Sequence, residues 1–152
     1  MDEAPVRGVD RLRQVVNVIT LATPLGLLLA RLGHAHLRPG PHGTRVAAGY
    51  RSGFPAPRAS AVTIGDVILL RLDDEQLAER PRLLTHESRH SAQWASLLGV
   101  LGFPLAYGLA SLWSWLRCRN MALRNVFEVR AGLADGGYQA PGPPRPPTRD
   151  IV

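Results

Sequence analysis

His86, Glu87 and His90 stand in the segment Leu83-Leu-Thr-His-Glu-Ser-Arg-His-Ser-Ala-Gln93, with the spacing His-Glu-x-x-His. On a helix, residues four apart lie one turn above each other on the same face. Two imidazoles so placed can bind one zinc ion from the same side. Glu87 follows the first histidine and sits beside that face. From there a carboxylate can reach a water at the metal and take its proton. Zinc brings the pKa of such a water toward neutrality, which makes a nucleophile at neutral pH. The plainer reading is a solvated helix that carries two histidines by coincidence. Leu83-Leu84, suited to core packing, and a β-rich segment upstream argue against it.

Two imidazoles leave the site open, because a catalytic zinc usually has three protein ligands and one free position. The third ligand expected is Glu128, 38 residues past His90, in Asn125-Val-Phe-Glu-Val-Arg-Ala-Gly-Leu-Ala-Asp135. This segment reads as a helix with an apolar face at Val126, Phe127 and Leu133. Its small residues Ala131 and Gly132 allow close approach to the histidine helix. The competing reading of Glu128 is a surface carboxylate paired with Arg124 or Arg130. Asp135, seven residues on, faces the same way. It can accept a hydrogen bond from a ligand imidazole, or simply end the helix beside Gly136. Gln93, seven residues after His86, either lines the cleft or packs against the Glu128 helix. Tyr138, after the Gly136-Gly137 turn, can donate to a tetrahedral oxyanion; a packed surface aromatic is the alternative. His34, His36 and His42 read as loop residues. Cys118, between two arginines, has no catalytic base nearby in sequence.

The elements that must position these residues follow from pattern and punctuation. Met1 to Leu12 reads as a frayed start without a secretory signal. The apolar run from Val15 to Ala30 reads as one helix up to Ala22 and another from Thr23, its N-cap, with Pro24 in the first turn. Gly33 is the expected stop. Thr44 to Tyr50 reads as a short strand. Ala61 to Leu70 is rich in β-branched residues around Gly65-Asp66, and reads as a bulged strand or a small hairpin. Asp73 and Gln76 fit a capping box. A long helix is expected from about Arg82 to Leu98, and a last one from Arg124 to Gly136. The fold class is α+β, a single domain over 1–138 with its core at 60–138. Residues 139–152, with five prolines, read as a disordered tail.

At 152 residues with one cysteine, the chain allows one disulfide-free domain and excludes a four-cysteine zinc site. Its net charge of +6 comes from eighteen arginines and no lysine. That charge raises nucleic-acid binding as a class. The arginines are scattered, and no basic-aromatic cluster or helix-turn-helix pattern accompanies them, so no nucleic-acid partner is expected.

The succession of motifs resembles the zincin-like metallopeptidase domains, notably the core domain of extracellular contractile injection system proteins. The resemblance rests on Ala61-Val-Thr-Ile-Gly-Asp-Val-Ile-Leu, on His-Glu-x-x-His-x-x-Gln at 86–93, and on Phe-Glu-x-x-Ala at 127–131. It covers about residues 60 to 138. It implies a minimal zincin-like fold, with an edge strand above the active-site helix along which a peptide lies extended. It implies zinc at His86 and His90, Glu87 as general base, and Glu128 as the glutamate ligand of the gluzincin pattern. The Glu128 segment carries no copy of the Asn-Glu-x-x-Ser-Asp pattern of thermolysin-like enzymes. A long apolar segment also separates the ligands.

That segment, residues 94 to 116, is uncharged and about 34 Å long as a straight helix, enough to span a bilayer. A full crossing would put His90 and Glu128 on opposite sides. A bend near Gly102-Phe103-Pro104 is therefore expected, giving two arms that return Glu128 to the site. The function expected is a zinc metallopeptidase acting on a peptide or protein substrate. The alternative is a zincin-fold binding module without turnover, associated with a membrane surface through its arginines. The location expected is the cytoplasm or the inner membrane, peripheral or integral.

Overall fold

The computed structural model describes residues 8–138. The expected disordered tail at 139–152 lies outside the described residues, as does the start of the chain to residue 7. Within the described part, the frayed start is corrected. Helix α1 (Gly8–Ile19) is already under way at Gly8. Arg13 explains this: it pairs with Asp10 one turn back and with Asp66 at 2.8 Å across the fold. Leu21 then adopts a left-handed conformation, φ 62°, and breaks the apolar run two residues before the expected cap. Helix α2 (Ala22–Leu32) starts there and stops at Gly33 as expected. Thr23 does not cap it. Its hydroxyl donates to Asp66 Oδ2 at 3.1 Å and accepts from the Asp66 backbone.

Four strands follow: β1 (His36–Pro39), β2 (Arg45–Ala48), β3 (Ala61–Ile64) and β4 (Val67–Leu70). Their order in the sheet is β1-β2-β4-β3. The Ala61–Leu70 segment is the hairpin alternative, β3 against β4, antiparallel. It belongs to a larger mixed sheet, because β2 pairs with β4 in parallel. Gly65 closes the hairpin at φ +60°, against the α2 backbone at Ala22 and Thr23, where a Cβ would collide. All four residues of β4 are buried. Val67 and Leu69 enter one apolar cluster with Ala22, Trp94 and Phe103; Ile68 and Leu70 enter a second with Val46 and Leu83. A continuous apolar run is what a strand covered on both faces requires. The molecule is a mixed α+β fold, with β3 left at the edge.

The Asp73–Gln76 capping box forms and starts the short helix α3 (Asp74–Ala78). Helix α4 (Leu83–Ser96) carries the histidine motif along the edge strand. Trp94 fixes it there by donating from Nε1 to the Thr63 carbonyl at 2.8 Å. The chain then turns through Leu98 and Gly99, both at positive φ. Helix α5 (Phe103–Cys118) follows with Pro104 in its first turn. The bend between the arms thus lies over residues 97–102, just upstream of its expected place. Among the described residues no single helix is long and apolar enough to cross a membrane; α1 and α2 reach that length and composition only together, bent by 74°. Helix α6 (Val126–Ala131) is shorter than the expected 124–136. Asn125 caps it, accepting from Phe127 N at 2.9 Å, and Gly132 at φ +94° ends it.

Candidate metal centre

Helix periodicity alone brings His86 and His90 together. Their Nε2 atoms stand 3.1 Å apart, and both rings are buried. Helix α6 supplies Glu128 from the facing side, only 2% exposed. Its Oε2 lies 3.3 Å from His86 Nε2, and its Oε1 lies 3.5 Å from His90 Nε2. The competing reading of Glu128, a surface carboxylate paired with arginine, is overturned by that burial.

The outer hydrogen bonds decide what the imidazoles present. His86 Nδ1 lies 3.0 Å from the Gly132 carbonyl, which can only accept, so Nδ1 carries the proton. Gln93 donates from Nε2 to the Phe127 carbonyl at 2.9 Å, which turns its Oε1 toward His90 Nδ1 at 2.8 Å. His90 Nδ1 therefore carries a proton as well. In the neutral form both Nε2 atoms then point lone pairs at one another and at the Glu128 carboxylate. Glu128 Oε2 has no hydrogen-bond partner, despite a nitrogen 3.3 Å away, because that nitrogen offers no N–H. Three electron-rich groups facing one point repel unless a cation or proton lies between them.

One donor atom from each of His86, His90 and Glu128 fits within 4.8 Å, so this buried group can hold a metal ion. The donor set is two nitrogens and a carboxylate, which suits zinc-type coordination. Donors bonded at about 2.05 Å in a tetrahedron stand about 3.3 Å apart. The Nε2–Nε2 separation of 3.1 Å is close to that edge, and each Nε2 has one of the two Glu128 oxygens at a similar distance, Oε2 at 3.3 Å from His86 and Oε1 at 3.5 Å from His90.

Electrostatics agree with a site that competes between protons and metal. Burial works against a charged His90, but the hydrogen bond that protonated Nε2 can donate to Glu128 and the charges of Glu87 and Glu128 outweigh it, so its pKa is raised. Burial likewise disfavours ionised Glu128, yet the facing His86 and His90, which can donate from Nε2 once protonated there, the charge His90 then carries, and the Tyr107 hydroxyl hold its carboxyl well below the usual range. Tyr107, on α5, donates from its hydroxyl to Glu128 Oε1. Burial first, and then the Glu128 charge, push its phenol upward, so it stays a donor.

Glu87 lines the same cleft as the two histidines and Glu128, and its Oε2 accepts from the Thr63 hydroxyl of β3 at 2.7 Å. A cleft of about 430 Å³ opens in front of these groups. Its walls are apolar, with Leu25, Leu29, Phe54, Val62 and Phe103 among them, and Tyr138 stands at the rim. Burial, with Glu128 and Glu87 nearby, pushes the Tyr138 phenol up to about 12. Gly136 brings this rim against His86: a Cβ there would lie 2.7 Å from Cε1 and 2.9 Å from Nε2.

Gln93 serves both of its expected places, since it bonds His90 and the Glu128 helix together. Asp135 requires correction. It touches neither imidazole as a hydrogen-bond partner and instead pairs with Arg89 at 2.8 Å and Arg82 at 3.6 Å. The Gly132 carbonyl does what was expected of it, because α6 ends before Asp135 could stay on the ligand face. The hydrogen bond from Arg89 is the main reason the Asp135 carboxyl is held below its usual range. Cys118 sits apart, its thiol against the Ser114 carbonyl at 3.1 Å. His36 and His42 lie on β1 and in the turn that follows, outside the cluster.

Sequence reasoning missed Thr63 and Tyr107. Tyr107 had one signal: with Ser111 and Ser114 it is one of the few polar groups in the uncharged stretch 94–116. Thr63 had none, being an ordinary β-branched strand residue. Compared with protein-family models, with curated proteins and with solved structures, the chain matches none.

Proposed function

We propose that this chain is a zinc-dependent metallopeptidase with a zincin-like site. The observation that carries the reading is the convergence of His86, His90 and Glu128 around one buried point, with Oε2 unsatisfied and Glu87 beside it. His86, His90 and Glu128 hold the ion. Zinc at this site supplies Lewis acidity, polarising a carbonyl and making water acidic enough to lose a proton near neutral pH. Glu87 is the general base. It takes the proton of the attacking water and passes it to the leaving amine. The Thr63 hydroxyl orients its carboxylate. Gln93 and the Gly132 carbonyl hold both imidazoles in the tautomer that presents Nε2. Tyr107 anchors Glu128, and Tyr138, which lines the cleft, is the proposed donor to a developing oxyanion.

A peptide substrate is favoured by the apolar cleft beside β3, whose outer edge carries no strand among the described residues. The Thr63 carbonyl on that strand is already taken by Trp94, so an extended peptide pairs there with fewer groups than a free edge offers. The test is metal analysis paired with Glu87→Gln. The expected result is one zinc per chain in both proteins, with peptide hydrolysis lost in the variant. A chain that takes up no zinc from zinc-containing buffer overturns the reading. Equal hydrolysis by the two proteins removes Glu87 as base.

A further inference from the structure

Helix α5 is built inside out for a surface helix. Its neutral polar side chains Tyr107, Ser111 and Ser114 turn toward the protein, and its one charged residue, Arg117, stands in the last turn. Tyr107 donates to Glu128, Ser111 accepts from Asn125 at 2.9 Å, and Ser114 donates to the Asn120 carbonyl at 2.6 Å. Its outward face is apolar instead. Leu105, Leu109, Leu112 and Leu116 are each between 52% and 66% exposed. At about 100° per residue they fall within an arc of about 60°. Leu98 and Leu101, also exposed, lead into this row. A helix on a water-facing surface shows the opposite arrangement.

The end of the helix changes character. Trp113 and Trp115 are exposed, and each carries an arginine over its ring: Arg117 at 5.0 Å and Arg119 at 4.3 Å. Tryptophan and arginine at the end of a leucine-rich stretch are what the headgroup layer of a bilayer selects. Charge decides between a bilayer and a second copy of the chain. From residue 94 to residue 134 the ionisable acids and bases are Arg117, Arg119, Arg124, Arg130 and Glu128. Glu128 is buried in the metal centre, so this region offers arginines and no exposed carboxylate. Two copies would bring arginine-rich rims together with nothing to neutralise them. Anionic lipid headgroups complement them.

We propose that the outward face of α5 docks on an anionic membrane surface. The helix lies in the interface with its leucines among the acyl chains and its arginines at the phosphates, and does not cross. Pro104 and Gly108, which line the cleft, flank the same face, so docking places the cleft mouth beside the lipid. This proposal does not depend on zinc or on hydrolysis.

The test is co-flotation of the full chain with vesicles of equal parts phosphatidylglycerol and phosphatidylcholine, and with phosphatidylcholine alone. Binding to the anionic vesicles that weakens with added salt is expected. Leu109→Glu with Leu112→Glu should lower the apparent affinity by about tenfold or more. Arg117→Glu with Arg119→Glu should abolish the preference for anionic lipid. Far-ultraviolet circular dichroism checks that both variants fold, as these side chains are exposed. Wild-type-like binding by a folded leucine variant overturns the proposal. So does absence of co-flotation together with a dimer, seen by analytical ultracentrifugation, that the leucine changes dissociate. Absence of co-flotation without a dimer overturns it equally.

Discussion

Glu128→Gln separates a metal centre from a merely polar cluster. Glutamine keeps the shape of the side chain and removes the only formal negative charge among the three donor groups. In metal-free protein the change is mild, within about 1 kcal/mol. With its NH2 in the place of Oε2 the amide can donate to the His86 lone pair 3.3 Å away, and its oxygen, in the place of Oε1, still accepts from Tyr107. The metal-bound protein behaves differently. Groups that only orient ligands are worth about 10–100-fold in metal affinity. Loss of a ligand's charge should therefore cost at least the upper end of that range. At free zinc about 100 times the wild-type Kd, binding stabilises the wild type by about 2.7 kcal/mol. With affinity reduced by about 100-fold, the same zinc stabilises the variant by about 0.4 kcal/mol. At about 4 °C per kcal/mol for a chain of this size, the zinc-induced rise in Tm falls from about 11 °C to about 2 °C. The assay is thermal unfolding of both proteins, stripped of metal and then with buffered zinc. A variant that keeps the full zinc increment refutes Glu128 as a ligand. A wild type without any increment refutes the centre.

Thr63→Val leaves the Glu87 carboxylate without its 2.7 Å donor; zinc content should stay at the wild-type value while kcat falls by about 10–100-fold, read by steady-state kinetics. Gly136→Ala places a methyl within 2.7–2.9 Å of the His86 ring edge that faces the metal position; zinc affinity should drop by about tenfold or more in a competition titration with a chelator, and unchanged affinity would show that the rim gives way freely. The pH dependence follows from the raised pKa of His90. Zinc needs the neutral imidazole, so affinity should fall about tenfold per pH unit as pH drops below the folded pKa, which lies above the ordinary value of about 6.5. In metal-free protein the sign is opposite: stability from protonated His90 is fully present below about pH 6.5 and is lost as pH rises through the folded pKa. Zinc affinity and metal-free stability measured across about pH 6 to 8 should therefore move in opposite directions, and an affinity flat over that range would contradict the assignment.

Much of the scaffold is legible in the chain because it is local. The Asp73–Gln76 capping box, the stop at Gly33 and the turn at Gly65-Asp66 each depend on neighbours a few residues apart. The boundaries that differ are those set from far away. Leu21 rather than Thr23 marks the start of α2 because Asp66 draws the Thr23 hydroxyl into its own network. Gly8 is already helical because Arg13 reaches Asp66, 53 residues on. The last helix is cut to six residues because Gly132 turns the chain back, so that its carbonyl meets His86.

The sequence by itself determined that two imidazoles and a carboxylate share a helix, since a spacing of four is one turn whatever surrounds it. Tertiary structure alone decided what those side chains meet. Glu128 faces them because α6 packs against α4, Thr63 holds Glu87 because β3 is the edge strand, and Tyr107 reaches Glu128 because the chain bends over 97–102. Asp135 lost its expected part for the same reason, being carried off the ligand face to Arg89. These contacts join residues 21 to 46 positions apart that no shared periodicity links. They are fixed by which surfaces pack together, and that is a property of the whole fold.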